Sequence, residues 1–291
     1  MTSPELSQQR ENFCYRHPDR QSFVLCQRCG RTICPECQTL APVGVICPEC
    51  IRESNAKAKA AQRPSARTRL RRLGQDQRPL VTYAIIGIST VLWLLQQVTG
   101  DLVTGLLVYH GIYSHVGSGA FEPWRMLTSA FAHSTVFHLA FNMLTLWIFG
   151  RVLEQVYGHL RFAALYIVSA LGGSLAIALV APNTTVLGAS GAVFGLFGAY
   201  FVVMRQARMN TMSLIVLVGI NVVMGFVIPG IAWQAHLGGL VTGALCSWLF
   251  LWESKSAKPS RKGLWIVAAL GVLIVVGATA SVSQLPLGIA G

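Results

Sequence analysis

Four Cys/His pairs near the start of the chain carry its strongest chemical signal. Two residues separate the members of each pair, a spacing that lets one tight turn offer two ligands to a metal ion. The pairs are Cys14 and His17, Cys26 and Cys29, Cys34 and Cys37, and Cys47 and Cys50. Eight ligands fill two four-coordinate sites, so we expect two structural zinc ions here. The spacing leaves open whether successive or alternating pairs share an ion.

A disulfide scaffold is the alternative use of these cysteines. Residues 1–79 hold seven of the eight cysteines, which is an odd number. The polar start MTSPELSQQRENF contains no apolar run of the kind found in a secretory signal peptide. We therefore expect this head region in a reducing cytosol, where disulfides are rare and zinc is favoured.

A second group of chemically capable residues lies in apolar sequence. Ser190 stands in GASGAVFG (188–195) and His236 in AHLGGLVTG (235–243), whereas His138 and Asn142 are four residues apart in a third apolar segment. Ser190 by itself could be a small packing residue, as serine often is in membrane helices. Beside a histidine that accepts its proton, it would be a nucleophile.

The elements that must position this second group are membrane helices. Only 12% of the 291 residues are charged, against about 25% in ordinary soluble domains, and 53% are hydrophobic. Segments close to the length of a membrane span fall near 80–98, 136–153, 160–180, 190–205, 211–228, 234–252 and 264–282. The expected fold is an all-α polytopic membrane protein of seven helices, preceded by a small cytosolic zinc-binding domain.

The distribution of basic residues predicts the orientation of these helices. With the amino terminus in the cytosol, the inner loops carry the Lys and Arg residues and the outer loops contain only Arg125, as the positive-inside rule requires. The carboxyl terminus is then outside. Ser190, His236, His138 and Asn142 all fall in the outer half of the membrane, where three helices can bring them together.

The lack of acidic residues in the later apolar segments limits the chemistry. No Asp or Glu occurs between Glu154 and Glu253, which disfavours a proton-coupled transporter and leaves no third member for a Ser-His-Asp triad. A Ser190–His236 dyad remains. Glycines 191 and 195 can face glycines 239 and 243, and this close contact would bring the two side chains together. The stretch APNTTVLGA (181–189) predicts an irregular segment, so that Ser190 opens a helix with its N–H free.

These motifs together resemble the rhomboid intramembrane serine proteases. The residues that carry the resemblance are GASG with Ser190, AHLGGLVTG with His236, HSTVFHLAFN with His138 and Asn142, and Trp124-Arg125. The resemblance implies a six-helix bundle with one extra carboxyl-terminal transmembrane helix. It also implies that Ser190 is the nucleophile and His236 the base, and that His138, Asn142 and the Ser190 N–H form an oxyanion hole. Phe194 stands where the family often has a tyrosine against the catalytic histidine.

The same resemblance supplies the partners. Substrates would be single-span transmembrane proteins in the lipid bilayer, cut near the outer face by a serine-type endopeptidase that needs no cofactor for catalysis. The alternative is a catalytically inactive rhomboid-like adaptor that binds membrane clients, although such relatives typically lose the serine or the histidine. We expect a multi-pass protein of a bacterial cell membrane.

The head resembles B-box fingers, which implies interleaved ligation: Cys14, His17, Cys34 and Cys37 on one ion and the other four cysteines on the second. Its use would be to bind a cytosolic protein partner. The net charge of +12 could suggest nucleic acid, but the basic residues concentrate just before the first apolar segment, which is typical of a lipid-facing sequence.

The expected domains are therefore 1–54 for the B-box-like zinc-binding domain, 55–79 for a basic juxtamembrane linker and 80–252 for the protease core. A cytosolic basic loop and the seventh helix follow at 253–291.

Overall fold

A computed structural model of the protein describes residues 10–61, 78–228, 230–254 and 261–286. The chain forms two compact units: the head unit, residues 1–73, and the membrane unit, residues 74–291. Each unit has a core of its own, one made largely of cysteines and the other of aliphatic and aromatic side chains.

The described part of the head unit contains two small hairpins, two short 3-10 helices and one α-helix. Strands β1 (Phe13–Cys14) and β2 (His17–Gln21) pair antiparallel, as do β3 (Thr39–Leu40) and β4 (Val45–Ile46). Helix α1 (Pro48–Ala61) follows. It extends past the domain boundary predicted at residue 54, so residues 55–61 of the predicted linker are helical. Residues 62–77 of that linker lie outside the described residues.

The membrane unit contains a helix at each of the seven predicted apolar segments. They are α2 (Leu80–Thr99), α5 (Val136–Tyr157), α6 (His159–Val180), α7 (Ser190–Gln206), α8 (Met212–Val227), α9 (Trp233–Ser254) and α10 (Lys262–Val282). Two short helices, α3 (Asp101–Leu107) and α4 (Arg125–Thr128), lie in the first long connection. Helix α5 is interrupted by a π-helical turn at Leu146–Gly150.

The predicted all-α polytopic membrane fold is confirmed. Within the part of the chain that the structure describes, five helices are long and apolar enough to cross a membrane: α2, α5, α6, α9 and α10. Helices α7 and α8 are shorter, with 17 and 16 residues. The loop predicted to follow residue 253 lies for the most part outside the described residues.

Helix α7 is the centre of the bundle, and glycines allow its neighbours to approach. Its residues from Gly191 to Ala199 are all buried. A Cβ atom on Gly239 would overlap the carbonyl oxygen of Gly191, and one on Gly243 would overlap that of Gly195. The predicted contact between these two pairs of glycines is therefore confirmed, and it joins α7 directly to α9.

A buried carboxylate fixes the start of helix α2. Glu154, at the end of α5, accepts hydrogen bonds from the backbone N–H groups of Val81 and Thr82, both at 2.8 Å, and from the Thr82 hydroxyl at 2.7 Å. It also contacts His159 Nδ1 at 2.5 Å. Because the first N–H groups of a helix have no intrahelical partners, this carboxylate caps α2 and ties it to α5 and α6.

Candidate active site and metal-binding clusters

The eight predicted metal ligands form two separate clusters in the head. Cys14, His17, Cys34 and Cys37 make one cluster, and Cys26, Cys29, Cys47 and Cys50 make the other. In each, all ligand atoms lie within 4.8 Å of one another. Each cluster therefore draws on alternating rather than successive pairs along the chain. The grouping is the interleaved one, and the cysteines are free thiols rather than disulfides.

The distances within the clusters suit a tetrahedral ion. Zinc bonds of about 2.3 Å to sulfur and 2.0–2.1 Å to nitrogen place neighbouring ligands about 3.8 Å apart for two sulfurs and about 3.6 Å for sulfur and nitrogen. His17 Nδ1 lies 3.8, 3.3 and 3.4 Å from the sulfurs of Cys14, Cys34 and Cys37. The sulfurs of Cys29 and Cys47 are 3.8 Å apart. The donor set and its spacing therefore fit a four-coordinate cation.

The electrostatics of the first cluster also favour a cation. Burial raises the pKa of Cys14, but hydrogen bonds from the backbone N–H groups of Cys34, Arg16 and His17 outweigh it and lower that pKa to about 6. Burial and the neighbouring thiols of Cys14 and Cys34 raise the pKa of Cys37 to about 11. The Cys14 thiol thus ionises readily, and its negative charge opposes ionisation of the Cys37 thiol. A divalent cation bound to both would remove this repulsion.

Ser190 is the first residue of helix α7, directly after the irregular segment that the sequence predicts. Residues 181–189 are not helical, and Gly188 has φ +120°, a conformation that favours glycine. The Gly188 N–H donates to the carbonyl of Ser129 at 2.8 Å. As the first helical residue, Ser190 has no intrahelical partner for its own N–H, and its side chain is partly exposed.

Helix α7 is shorter than the hydrocarbon core of a bilayer. Its 17 residues span about 26 Å, against roughly 30 Å for the core. Non-helical backbone within a membrane needs a protein-lined or water-lined setting, and water is required for hydrolysis.

His236 is held beside α7 by an aromatic stack. Its ring lies parallel to that of Phe194, with centroids 4.1 Å apart and an interplanar angle of 8°. Phe194 is one helical turn after Ser190, so its ring lies on the same side of α7. His236 Nδ1 is buried and has no hydrogen-bond partner among the described residues. No hydrogen bond joins Ser190 Oγ to His236 within these residues; catalytic hydrogen bonds are often long before substrate binds.

His138 approaches the same segment from helix α5. Its ring packs on Gly188, where a Cβ atom would lie 2.6 Å from Cε1 and 2.7 Å from Nε2. Thr135 begins the helix by accepting the His138 N–H, and Ser134 Oγ lies 3.1 Å from His138 Nδ1. The Nε2 edge of the His138 ring therefore lies beside Gly188, which precedes Ser190 by two residues in the chain.

Asn142 is one helical turn further along α5 and is buried. Its Nδ2 donates to the carbonyl of His138 at 2.8 Å, which uses one of its two N–H bonds. The other remains available to a ligand. The structure thus brings Ser190, His236 and His138 around one segment, while Asn142 is turned towards its own helix.

Comparison with known proteins covers the part of the chain that contains these residues. A family model described as the rhomboid domain matches residues 120–253. YdcA of Bacillus subtilis (strain 168), provisionally named a rhomboid protease, is 33% identical over 184 residues, which cover 59% of this chain and 88% of YdcA. The chain belongs to the rhomboid family.

Other rhomboid relatives match over smaller shares of their length. Rhomboid protease GluP of Bacillus subtilis (strain 168) is 34% identical over 175 residues, or 58% of this chain and 34% of GluP. RHOMBOID-like protein 6, mitochondrial, of Arabidopsis thaliana is 31% identical over 189 residues, which cover 56% of this chain and 61% of that relative. The chain thus spans about a third to three fifths of the length of such relatives. The metal clusters lie before the matched rhomboid domain.

His133 anchors the backbone beside the candidate site, a role that its position near the outer end of the second apolar segment suits. His133 is fully buried, and its ring contacts that of His138 edge-on at 5.1 Å. Its Nε2 accepts the Ala189 N–H at 3.5 Å, and its own N–H donates to Gln96 at 3.1 Å. His133 therefore connects helix α2 with both sides of the site.

Arg125 of the Trp124-Arg125 pair supports the loop between α2 and α5. It is buried, donates to Glu122 at 2.5 Å and to the carbonyl of Gly105, and lies 4.1 Å above the ring of Tyr113. The Arg125 guanidinium therefore binds groups within the protein rather than lipid phosphate.

Proposed function

We propose that this rhomboid protein is an intramembrane serine endopeptidase that cleaves transmembrane segments near the outer face of the membrane. The observation that carries the proposal is the parallel stack of His236 on Phe194, one turn after Ser190. This stack supports placement of the His236 imidazole next to Ser190 at the start of α7. The names of relatives such as GluP support the reaction class.

In this proposal Ser190 and His236 act as a dyad. His236 takes the Ser190 proton as Oγ attacks the carbonyl carbon of the scissile peptide bond, and then gives that proton to the leaving amine. Water repeats the sequence on the acyl-enzyme, which releases the new carboxylate and restores Ser190. The stack on Phe194 restricts the ring to one plane, so that its nitrogens stay aligned for both transfers.

The oxyanion formed in each half-reaction would receive hydrogen bonds from three donors. They are the Ser190 N–H at the positive end of helix α7, His138 and the second N–H of Asn142. Support comes from the packing of His138 on Gly188 and from the free N–H of a first helical residue. To take part, Asn142 would donate its second Nδ2–H, or its side chain would rotate away from the carbonyl of His138.

The substrates would be single-span transmembrane proteins whose helices unwind near the outer face of the bilayer. An extended segment is required because a peptide bond within an intact helix is enclosed by its own hydrogen bonds. The backbone at 181–189, directly before Ser190, is itself irregular, which supports access of an extended segment to this site. We place the amino terminus in the cytosol and the carboxyl terminus outside, in a bacterial cell membrane.

Labelling by a fluorophosphonate probe tests this function. Detergent-solubilised protein should be labelled at Ser190, because only an activated serine reacts readily, and Ser190→Ala should abolish the label. The matched control Ser247→Ala alters a buried serine at the other end of α9, bonded to Ala199 and Tyr157, and should keep it. A correctly folded wild-type protein that takes up no probe would favour the inactive adaptor instead.

For the head we propose two structural zinc ions and binding of a cytosolic protein partner by a B-box-like module. Cys14, His17, Cys34 and Cys37 would hold one ion and Cys26, Cys29, Cys47 and Cys50 the other. The metal would supply the cross-link that folds this unit, because its buried residues are little more than the ligands themselves and Ile33. Four protein ligands on each ion leave no position for catalysis.

A further inference from the structure

The two metal-binding clusters of the head differ in how far solvent reaches their ligands. All eight ligands lie among the described residues, and Cys29 is the one that is exposed. The other members of its cluster, called here the second cluster, are Cys26, Cys47 and Cys50, each 5% exposed or less. In the first cluster the three cysteines are 2% exposed or less and the histidine is half-buried. A reagent dissolved in the surrounding water therefore meets Cys29 before any other ligand thiol.

The surroundings of Cys29 are those of a reactive cysteine. Arg31 Nε donates to the sulfur of Cys29 at 3.4 Å. The Arg31 guanidinium is held there by an ion pair with Glu49 at 2.7 Å and by the ring of Tyr15, whose centroid lies 4.4 Å from Cζ. Cysteines that react lie in exposed, electropositive surroundings, whereas buried structural cysteines are inert. Because a cysteine that binds zinc is already a thiolate, Cys29 is the ligand most open to an oxidant.

A second thiol of the same cluster lies close enough to complete a disulfide with Cys29. The Sγ atoms of Cys29 and Cys47 are 3.8 Å apart, a distance that side-chain rotation must shorten to about 2.0 Å. The backbone of Cys47 is fixed beside the same turn, since its N–H donates to the sulfur of Cys26 at 3.2 Å. Cys47 is therefore placed to react with Cys29 once Cys29 is oxidised.

We propose that Cys29 is a site of oxidation by peroxides, and that its oxidation releases zinc from the second cluster while the first cluster keeps its ion. The inference rests on the two zinc ions proposed for the head. It goes beyond them because it assigns different chemistry to two clusters of similar ligands. The difference comes from the exposure of one thiolate and from the guanidinium beside it.

The reaction takes two steps and needs only hydrogen peroxide as oxidant. The Cys29 thiolate attacks one peroxide oxygen, so that a sulfur–oxygen bond forms, the oxygen–oxygen bond breaks and hydroxide leaves, which gives a sulfenic acid. The Cys47 thiolate then attacks this sulfur, the disulfide forms and a second hydroxide leaves. Two electrons pass from the two sulfurs to peroxide, and the zinc ion keeps its charge.

The disulfide removes two of the four ligands of the second cluster. Two thiolates remain for the ion, fewer than the four of a structural zinc site, so the ion is released. Cys29 belongs to the turn that starts at Cys26, and Cys47 directly precedes helix α1. The disulfide therefore keeps this turn joined to α1, and reduction restores both thiolates for the ion.

Zinc release and peptide mapping on the full-length protein in detergent test this proposal. The metal-loaded protein is titrated with hydrogen peroxide, released zinc is followed with a chromogenic chelator, and all thiols are then alkylated under denaturing conditions and mapped by mass spectrometry. One of the two zinc ions should be released, and Cys29 and Cys47 should be lost to alkylation first, joined in a disulfide. Release of both ions together, or a first disulfide that lacks Cys29, overturns the proposal.

A pair of ligand substitutions identifies the thiol responsible. Cys29→His removes the exposed thiolate but supplies another zinc ligand, so this variant should hold two ions and release neither at peroxide concentrations that act on the wild type. The matched control Cys37→His makes the same change at a buried position of the first cluster and should still release one ion. Equal release by Cys29→His and the wild type contradicts the proposal. If Cys29→His binds no metal, the mapping of the wild-type protein decides.

The metal content before oxidation separates this inference from the proposed function of the head. If the protein holds two zinc ions and peroxide releases both or neither, the zinc sites stand and the assignment of Cys29 is wrong. If the purified protein holds no metal under conditions that retain zinc, the zinc proposal is wrong. The order in which the thiols of that protein oxidise then still decides whether Cys29 reacts first.

Discussion

Phe194 connects the position of Ser190 to the orientation of His236. A parallel stack with centroids 4.1 Å apart fixes the plane of the imidazole but leaves both of its nitrogens at the ring edge. Since Phe194 follows Ser190 by one helical turn, a shift of α7 moves the serine and the stacking ring together.

Removal of the stacking ring should slow catalysis more than it weakens substrate binding. Aromatic pairs contribute about 0.5–1.5 kcal/mol beyond their buried area, so Phe194→Ala should lower kcat by roughly three- to tenfold through misorientation of His236. Phe194→Tyr should keep near-normal kcat because its ring can stack as well. Steady-state kinetics of both variants measure this, and equal losses in the two would argue against a role for the stack.

Asn142 gives the sharpest test of the proposed oxyanion hole. Loss of one oxyanion donor costs about 100- to 1000-fold in kcat, with a smaller change in KM because the bond forms mainly in the transition state. Asn142→Ala should show this pattern and still react slowly with a fluorophosphonate. The bond to His138 allows a purely structural role, which would give a lowered melting temperature with normal kcat per folded molecule.

At the scale of elements, the contact between α7 and α9 determines whether a site can exist. Backbones touch at Gly191 with Gly239 and at Gly195 with Gly243, and no side chain larger than hydrogen fits there. The repeated spacing of small residues made this contact predictable from sequence. Its consequence is that the helix carrying His236 lies directly against the helix that begins with Ser190.

Substitution at this contact should destabilise the bundle. Gly239→Ala places a methyl group on the carbonyl of Gly191 and should cost about 1–3 kcal/mol, the usual range for overpacking. The control is Gly219→Ala on α8, where an added Cβ meets nothing within 4 Å. Thermal unfolding in detergent compares them, and equal melting temperatures would contradict the described packing.

The sequence predicted those elements whose signal is local or periodic. Apolar runs located all seven helices, Pro and Asn located the irregular segment before Ser190, and glycine spacing located the α7–α9 contact. The cap of α2 by Glu154 was not predictable, because it joins residues 72 and 73 positions apart in the chain. The contact of His115 Nε2 with the carbonyl oxygen of Leu285 was not predictable for the same reason, because these residues are 170 positions apart.

At the scale of the whole molecule, the chain combines a rhomboid domain with a head that has almost no hydrophobic core. Among the described residues of that head, Ile33 and six of the seven cysteines form the buried apolar cluster, and Cys29 is exposed. The membrane unit, in contrast, has an extensive core. The two units therefore depend on different sources of stability, and they should respond separately to removal of metal.

Metal analysis of the purified protein should find two zinc ions per chain. Cys34→Ala should lower the content to one, because the second cluster shares no ligand with the first. Cys246→Ala, which changes the single cysteine in α9, should leave both ions in place. A wild-type protein without metal, purified under conditions that retain zinc, would refute the assignment of the clusters.

A truncated chain that starts near residue 75 should keep its basal proteolysis in detergent. The membrane unit has its own core, and each group proposed for catalysis lies within residues 138–236. The cleavage rate of a model substrate by full-length and truncated proteins of equal folded fraction measures this. A folded but inactive truncation would show that the head is needed for catalysis.

In the proposed mechanism, Ser190 and His236 together hydrolyse a peptide bond within the membrane. Cleavage of a purified single-span protein, co-reconstituted with this protein in liposomes, measures this reaction when the intact masses of both products are determined. The wild-type protein should make one cut near the outer end of the span, and Ser190→Ala and His236→Ala should make none. Cleavage at the wild-type rate by a correctly inserted Ser190→Ala protein would contradict it.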